Sequence, residues 1–168
     1  MTTTNAEKVW RYGALGWTIT VDAGVATRVR AMRADRLPRE TGGVLFGLVD
    51  IPAKSIHVVD AAPAPPDSIE ETGAFVRGVQ GVDENIETVR RRTAGQVRYV
   101  GEWHSHPPRM SARPSSVDAV QIDWLAALMG MDSIPALMLI AADKELAVIF
   151  ANELAAPQTE ERAARPAA

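Results

Sequence analysis

The spacing of hydrophobic residues along this chain predicts several short strands. Apolar runs bounded by turn residues occur over 16–21, 43–49, 55–62, 97–103, 136–142 and 146–151. The stretch 50–54 lies between the second and third runs, and Asp143-Lys144-Glu145 lies between the last two. Both intervening stretches are typical of turns, so we expect two β-hairpins.

Three other segments carry apolar residues at the spacing of a helix face. The first follows Asp22, a residue type favoured at helix N-caps, and must end before Pro38. The other two are marked by Val82, Ile86 and Val89 and by Val117, Val120, Trp124 and Leu128. Trp124 and Met129 are accordingly expected in the core. The order of strands and helices predicts an α/β fold, in which one mixed β-sheet is flanked by helices.

A length of 168 residues suits one domain with a hydrophobic core, and we place this domain at 9–153. Residues 1–8 are polar and 154–168 are rich in alanine, proline and charge, so both ends are predicted to be flexible. The proline-rich stretch 62–73 is predicted to be a long loop within the domain.

A net charge of −3 gives the chain no general attraction for nucleic acids or anionic lipids. No apolar run is long enough to span a bilayer, and no signal peptide is recognisable. We therefore expect neither a nucleic acid nor a membrane as a partner, and a cytoplasmic location is the default. The absence of cysteine excludes disulfides, thiolate nucleophiles and thiolate metal ligands.

The segment 101–118, GEWHSHPPRMSARPSSVD, contains two of the three histidines of the chain. Because side chains alternate along a strand, His104 and His106 should point to the same face where strand 97–103 ends. Asp118 lies in the first turn of the next helix, and the intervening loop can return it to the histidines. Two imidazoles and a carboxylate that leave a fourth position free are typical of a catalytic zinc site. Zinc in such a site lowers the pKa of water from about 15.7 toward 7.

Each part of this pattern also has a simpler explanation. Ser115 and Asp118 form a Ser-x-x-Asp pattern, which by itself favours a helix cap. Paired histidines can be merely solvated or hydrogen-bonded, and His57, alone in a strand, is interpreted as structural. A serine hydrolase using Ser105 or Ser115 is less favoured, because the chain has no Gly-x-Ser-x-Gly motif. The joint occurrence of these parts at one strand end and the following helix start favours the metal site.

A zinc hydrolase also needs a general base, and the spacing leaves two candidates. Glu102 precedes His104 by two residues and shares its face of the strand. If Glu102 is not the base, it could compete as a metal ligand or form a hydrogen bond with a metal ligand. Glu40 lies in RETGGVLFG, where a helix gives way to a strand and Gly42 and Gly43 allow close backbone approach. Glu-Thr-Gly-Gly alone also suits a helix stop and a turn.

Together, Glu40 in ETGGVLFG, the stretch GEWHSHP and the stretch PSSVD resemble the JAB/MPN family of JAMM zinc metalloproteases. The resemblance covers roughly 16–151 and implies a single MPN domain. YVGEWHSHP and GAFVRG are similar to a bacterial subgroup whose members accompany E1-like and E2-like proteins. This subgroup includes the JAB proteases of CBASS antiphage operons.

The resemblance implies that Glu40 is the general base. It also implies that His104, His106 and Asp118 bind Zn²⁺ and that Ser115 helps to stabilise the oxyanion. The implied reaction is cleavage of an isopeptide or peptide bond after the C-terminal tail of a ubiquitin-like protein or another conjugated protein. E1-like and E2-like proteins of the same operon would be further partners.

Two alternatives stay open beside this activity. One is a metallopeptidase that processes a precursor, and the other is a non-catalytic binding module of the same fold. Inactive relatives typically lack motif residues that this chain retains. One spacing also departs from the family pattern, because eight residues, PPRMSARP, separate His106 from Ser115, one more than is usual. A loop can absorb one residue, so the zinc assignment is kept and the loop is expected to differ in shape.

Overall fold

The computed structural model describes residues 9–130, 134–151 and 153–158. All six predicted strands and all three predicted helices are present. The elements, in chain order, are β1 (Trp10–Ala14), β2 (Trp17–Val21), α1 (Ala23–Ala34), β3 (Gly42–Asp50), β4 (Ser55–Ala61), β5 (Ile69–Glu71), β6 (Ala74–Val76), α2 (Val82–Arg92), β7 (Arg98–Ser105), α3 (Ser116–Gly130), β8 (Leu137–Ala141), β9 (Leu146–Phe150), β10 (Glu153–Leu154) and β11 (Ala156–Pro157).

One mixed sheet organises the described part of the chain, with the strand order β10-β9-β8-β7-β3-β4-β2-β1-β11. The pairs β2/β4 and β7/β8 are parallel, and the other neighbours are antiparallel. Both predicted hairpins are confirmed as β3/β4 and β8/β9. Parallel strands need a crossover connection, which α3 supplies between β7 and β8. The predicted α/β fold is therefore confirmed.

The core joins the sheet to one face of α1 and one face of α3. All five residues of β8 are buried, as expected for an interior strand that is covered on both faces. Helix α2 buries none of its residues, so it lies on the surface. The largest fully buried side chains include Trp103, Phe46, Phe150, Leu125 and Leu139.

The predicted buried face of α3 is wrong. Trp124, expected in the core, is 58% exposed, and Val117, Val120 and Leu128 are exposed with it. The reason is that α3 begins with Asp118 facing inward, and residues at helical spacing after Asp118 share its face. The residues that α3 buries are Asp118, Ile122, Leu125 and Met129.

The predicted loop 62–73 contains a strand of a second, two-stranded sheet, in which β5 pairs with β6. Strands of three residues carry too few positions for an alternating pattern to reveal them. At the other end, β11 pairs with β1, so the sheet continues beyond the predicted boundary at 153. The predicted flexible ends fall largely on 1–8 and 159–168, outside the described residues. Among the described helices, none has the length and apolarity needed to cross a membrane.

Candidate metal centre

Three predicted metal ligands meet where β7 ends. His104 lies in β7, and His106 follows directly, with its backbone N–H donating to the carbonyl of Ala141 at the end of β8. Asp118, in the first turn of α3, is brought back to them by the loop 107–115. His104, His106 and Asp118 are only 4%, 3% and 5% exposed, so solvent does not satisfy their polar atoms.

The geometry of this group fits a metal ion. Nε2 of His104 lies 2.9 Å from Oδ1 of Asp118, and Nε2 of His106 lies 3.2 Å from Oδ2. The potential ligand atoms of the three side chains all lie within 4.8 Å of one another. Despite its short distance to Asp118, Nε2 of His104 has no hydrogen-bond partner of suitable geometry among the described residues. Buried polar atoms normally have a bonding partner, and a metal ion bound by all three side chains would provide one for this nitrogen.

The backbone of the loop fixes the tautomer of His106. Its Nδ1 lies 2.6 Å from the carbonyl oxygen of Ser111. A carbonyl only accepts hydrogen bonds, so Nδ1 carries a proton, and Nε2 is the ring nitrogen that faces Asp118 and could bind a metal. A histidine ligand whose second nitrogen donates to a backbone carbonyl is the usual arrangement in metal centres.

The electrostatics of the group favour a charged carboxylate. Burial alone would raise the pKa of Asp118, but its contacts with His104 and His106 and the hydrogen bond from the Ser115 N–H hold that pKa far below its usual range. The pKa of His106 is raised, first by its hydrogen bond to Asp118, against the effect of burial. Asp118 therefore lies among the histidines as a charged carboxylate, which is a ligand form that a metal cation can bind.

The Ser-x-x-Asp pattern caps α3 as well as supplying Asp118. The backbone N–H of Ser115 donates to Oδ2 of Asp118 over 2.5 Å, and the N–H of Asp118 donates to Oγ of Ser115 over 3.2 Å. This reciprocal pairing is that of a capping box. The capping interpretation and the ligand interpretation thus describe the same residues. The Ser115 hydroxyl keeps its own proton to donate, and its role toward an oxyanion stays a prediction.

Glu40 shares a cavity with the three ligands. The backbone around it is held on both sides, because its N–H donates to the carbonyl of Glu71 over 2.8 Å and the N–H of Thr41 donates to Oγ of Ser105 over 3.0 Å. Burial raises the pKa of Glu40, while His104 and His106 lower it to a smaller extent. A carboxylate with a raised pKa next to a metal site is suited to accept a proton.

The other candidate residues have different surroundings. Oε1 of Glu102 accepts hydrogen bonds from Nε of Arg77 and from the hydroxyl of Tyr99, and Glu102 does not line the cavity. His57 lies 2.7 Å from Asp22 and is also absent from the cavity lining. Ser105 is fully buried, its Oγ accepts the N–H of Thr41, and the residue does not line the cavity.

The structure brings to the site residues whose position the sequence analysis did not predict. Gly73, Ala74 and Phe75 of the β5–β6 hairpin line the cavity, together with Met110 and Gln121. Gln121 follows Asp118 by three residues, so helical spacing alone would have placed it on the same face. The hairpin residues are distant in sequence from the ligands, and only the fold brings them to the site.

The loop of unusual length between His106 and Ser115 is tied to the β8–β9 turn. Carboxylates of Asp143 and Glu145 accept the backbone N–H groups of Arg109 and Ala112 over 2.8 and 3.1 Å. Arg33, a buried residue of α1, donates to the carbonyl of His106 over 3.0 Å and to Asp143 over 2.8 Å. The turn 143–145, predicted only as a hairpin turn, therefore also holds the loop 107–115 in place.

Two relatives give the fold and the family context. A protein of Enterobacter hormaechei subsp. hoffmannii named "CD-NTase/cGAS isopeptidase" is 34% identical over 101 residues, which is 60% of this chain and 54% of that protein. This chain thus spans about half the length of that curated relative. The solution structure of protein DSY2949 from Desulfitobacterium hafniense shares the fold, with a TM-score of 0.54, 20% identity, and coverage of 83% of this chain and 89% of that one.

The family of prokaryotic homologs of the JAB domain matches residues 22–157. This range runs from the start of α1 to β11. It includes Glu40 and the candidate metal ligands His104, His106 and Asp118. The order of these residues, their convergence in one cavity and the length of the match lead to one conclusion. The chain belongs to the prokaryotic homologs of the JAB domain.

Proposed function

We propose that this chain is a zinc-dependent isopeptidase that releases a protein attached through its C-terminal tail. The observation that carries the proposal is the buried group of His104, His106 and Asp118, which shares one cavity with Glu40. Within this group, Nε2 of His104 has no hydrogen-bond partner among the residues that the structure describes. Family membership and a relative named as an isopeptidase support it.

The name of that relative also suggests the substrate class. We propose a conjugate in which the C-terminal tail of a CD-NTase or of a ubiquitin-like protein is joined to a lysine of another protein. E1-like and E2-like proteins that form such conjugates would be functional partners. Because this chain covers only about half of the relative, its substrate is assigned here by chemical class.

His104, His106 and Asp118 would hold the zinc, and zinc would supply Lewis-acid activation of water at neutral pH. The residues of the chain supply the remaining steps. Glu40 takes a proton from the attacking water and passes it to the leaving amine, which then departs as a neutral group. Its raised pKa suits both transfers. The Ser115 hydroxyl, at the edge of the same cavity, donates a hydrogen bond to the oxygen that gains negative charge.

The test compares wild type with Glu40→Gln and His106→Ala. The probe is a fluorescent peptide whose lysine ε-amino group is joined to the C-terminal residues of a CD-NTase. Glu40→Gln should lose about 10²–10⁴-fold in kcat, since it removes a general base. This variant should keep its zinc and still bind the probe. His106→Ala should lose both zinc and activity.

The outcomes separate the enzyme from its alternatives. Wild type that binds zinc but cleaves neither this probe nor a ubiquitin-like fusion would favour the binding module. Cleavage of a linear precursor peptide, with the isopeptide probe left intact, would favour a processing peptidase. Elemental analysis that finds no zinc after incubation of the chelated protein with Zn²⁺ would contradict the metal assignment.

A further inference from the structure

Close to the site lies a partly buried ion pair that the chemistry above does not use. Nε of Arg77 is 2.8 Å from Oε1 of Glu102, and each side chain is only 14% exposed. Arg77 also donates to the carbonyl of Gly78 over 2.7 Å, and the Tyr99 hydroxyl donates to Glu102 over 3.2 Å. Desolvating two charges is unfavourable unless the pair is well hydrogen-bonded, and this pair is.

The pair connects two walls of the catalytic cavity. Glu102 lies on β7, two residues before His104. Arg77 follows β6 directly, and the β5–β6 hairpin (residues 69–76) lines the cavity through Gly73, Ala74 and Phe75. The ion pair therefore joins this hairpin to the strand that carries the histidines.

Polar contacts and one buried apolar side chain, that of Phe75, hold the hairpin in place. Ile69 and Val76 are 53% and 54% exposed, whereas Phe75 is buried. At the base of the hairpin, Asp67 accepts the N–H groups of Val79 and Gln80, each over 3.0 Å. With Ile69 and Val76 exposed, Phe75 anchors the hairpin together with its hydrogen bonds and the pair with Glu102.

The opposite side of the hairpin contacts the segment of the general base. The carbonyl of Glu71 accepts the N–H of Glu40, and the Thr41 hydroxyl donates to Glu70. The hairpin is thus attached to the Glu40 segment on one side and to β7 on the other. A shift of the hairpin would change the shape of the cavity without removing a ligand.

We propose that Arg77 and Glu102 are positioning residues that hold the β5–β6 hairpin as a preformed wall for the substrate tail. The inference rests on the proposed isopeptidase function. It assigns Glu102 to substrate binding through Arg77, and neither to the metal nor to proton transfer. Without the pair, the hairpin samples other positions, and the apparent affinity for substrate falls in proportion to the remaining competent fraction.

The experiment uses the full chain with Arg77→Met and Glu102→Gln, and Arg77→Lys as the conservative variant. KM for the isopeptide probe should rise on the order of 10-fold in the first two, as expected for loss of one charged hydrogen bond. The value of kcat and the zinc content should change less than about twofold. Arg77→Lys should recover part of the affinity, because it keeps the charge. The matched control is Arg90→Met, which removes an exposed ion pair with Glu87 on α2 and should change neither KM nor kcat.

Hydrogen exchange provides a readout that needs no activity. The amides of 69–76 and the amide of Glu40 should exchange faster in Arg77→Met than in wild type or Arg90→Met. Unchanged exchange in both Arg77→Met and Glu102→Gln would overturn the positioning role, even if wild type cleaves the probe. If Arg77→Met exchanges faster than wild type but wild type cleaves no probe, the positioning role is kept and the proposed function is rejected. Loss of zinc in Glu102→Gln with a normal KM would overturn the positioning role and indicate that Glu102 supports the metal site. If Arg77→Met does not fold, Arg77→Lys and Glu102→Gln provide the test of the positioning role.

Discussion

Replacing Arg33 by methionine should destabilise the domain, because Arg33 holds the start of the loop 107–115 and the β8–β9 turn. Arg33 is 6% exposed, and its guanidinium group reaches both the carbonyl of His106 and the carboxylate of Asp143. Methionine preserves the aliphatic packing of the side chain while removing both hydrogen bonds. The change therefore tests the polar contacts and leaves no large cavity.

The structure indicates which of the two contacts matters more. The side chain of Asp143 is 44% exposed, so its ion pair with Arg33 should be worth less than about 1 kcal/mol. The hydrogen bond to the carbonyl of His106 is buried and charge-assisted, which corresponds to about 1.5–3 kcal/mol. We expect a total loss of about 3 kcal/mol, equivalent to a Tm lower by roughly 6–12 °C for a domain of this size.

Urea denaturation of the zinc-free protein measures this loss directly. Asp143→Asn in a double-mutant cycle should give a coupling energy with Arg33→Met below about 1 kcal/mol. Arg91→Met, at an exposed position of α2, is the matched control and should stay within about 0.5 kcal/mol of wild type. A free energy of unfolding for Arg33→Met equal to that of the control would refute the reasoning. A coupling energy that accounts for the whole loss would show that the Asp143 contact, not the His106 carbonyl, carries it.

Two further predictions concern the core. Tyr12 is buried and donates to the carbonyl of Leu146, and burial raises its pKa to about 12. The folded-state pKa lies above the unfolded value of about 10, so the contribution of Tyr12 to the free energy of unfolding is complete below pH ~10. It is lost as the pH rises through ~12, which lowers the free energy of unfolding by about 3 kcal/mol. Alkaline unfolding curves of wild type should therefore fall more steeply over this range than those of Tyr12→Phe, and parallel curves would contradict the assignment. On α3, Trp124→Gln should change the free energy of unfolding by less than about 0.5 kcal/mol, while Leu125→Ala should cost about 2–5 kcal/mol. Similar losses for both in thermal denaturation would mean that α3 buries the other face.

Several features of the fold could be predicted because they are local. Apolar runs and the turn residues between them located six strands correctly, together with both predicted hairpins, but they missed the five-residue strand β1. Alternation within β7 also predicted that His104 and His106 would converge, and helical spacing predicted that Asp118 would lie in the first turn of the next helix. Strand and helix periods follow from backbone geometry, so sequence spacing alone reports them.

Strand pairing explains why Glu40, and not Glu102, lines the cavity of the candidate metal ligands. In the β3/β7 ladder, Gly42 lies opposite His104, which brings the segment just before β3 to the end of β7 where the metal ligands lie. A Cβ at Gly42 would come within 2.3 Å of the carbonyl oxygen of Trp103, so only glycine permits this approach. Glu102 is closer to His104 in sequence, yet its carboxylate is bonded to Arg77. The register of two strands depends on contacts between segments that are distant in sequence. The residues next to Glu40 or Glu102 in the sequence therefore do not reveal it.

Which face of α3 is buried was likewise set by tertiary contacts. The helix carries apolar residues on most of its circumference, so periodicity alone did not distinguish the face marked by Val117 and Trp124 from the face marked by Ile122 and Leu125. The sequence determined that a helix would form there and that Asp118 would begin it. The position of the two histidines at the end of β7 decided its rotation, because Asp118 must face them and Ile122 and Leu125 lie on the same side of the helix as Asp118.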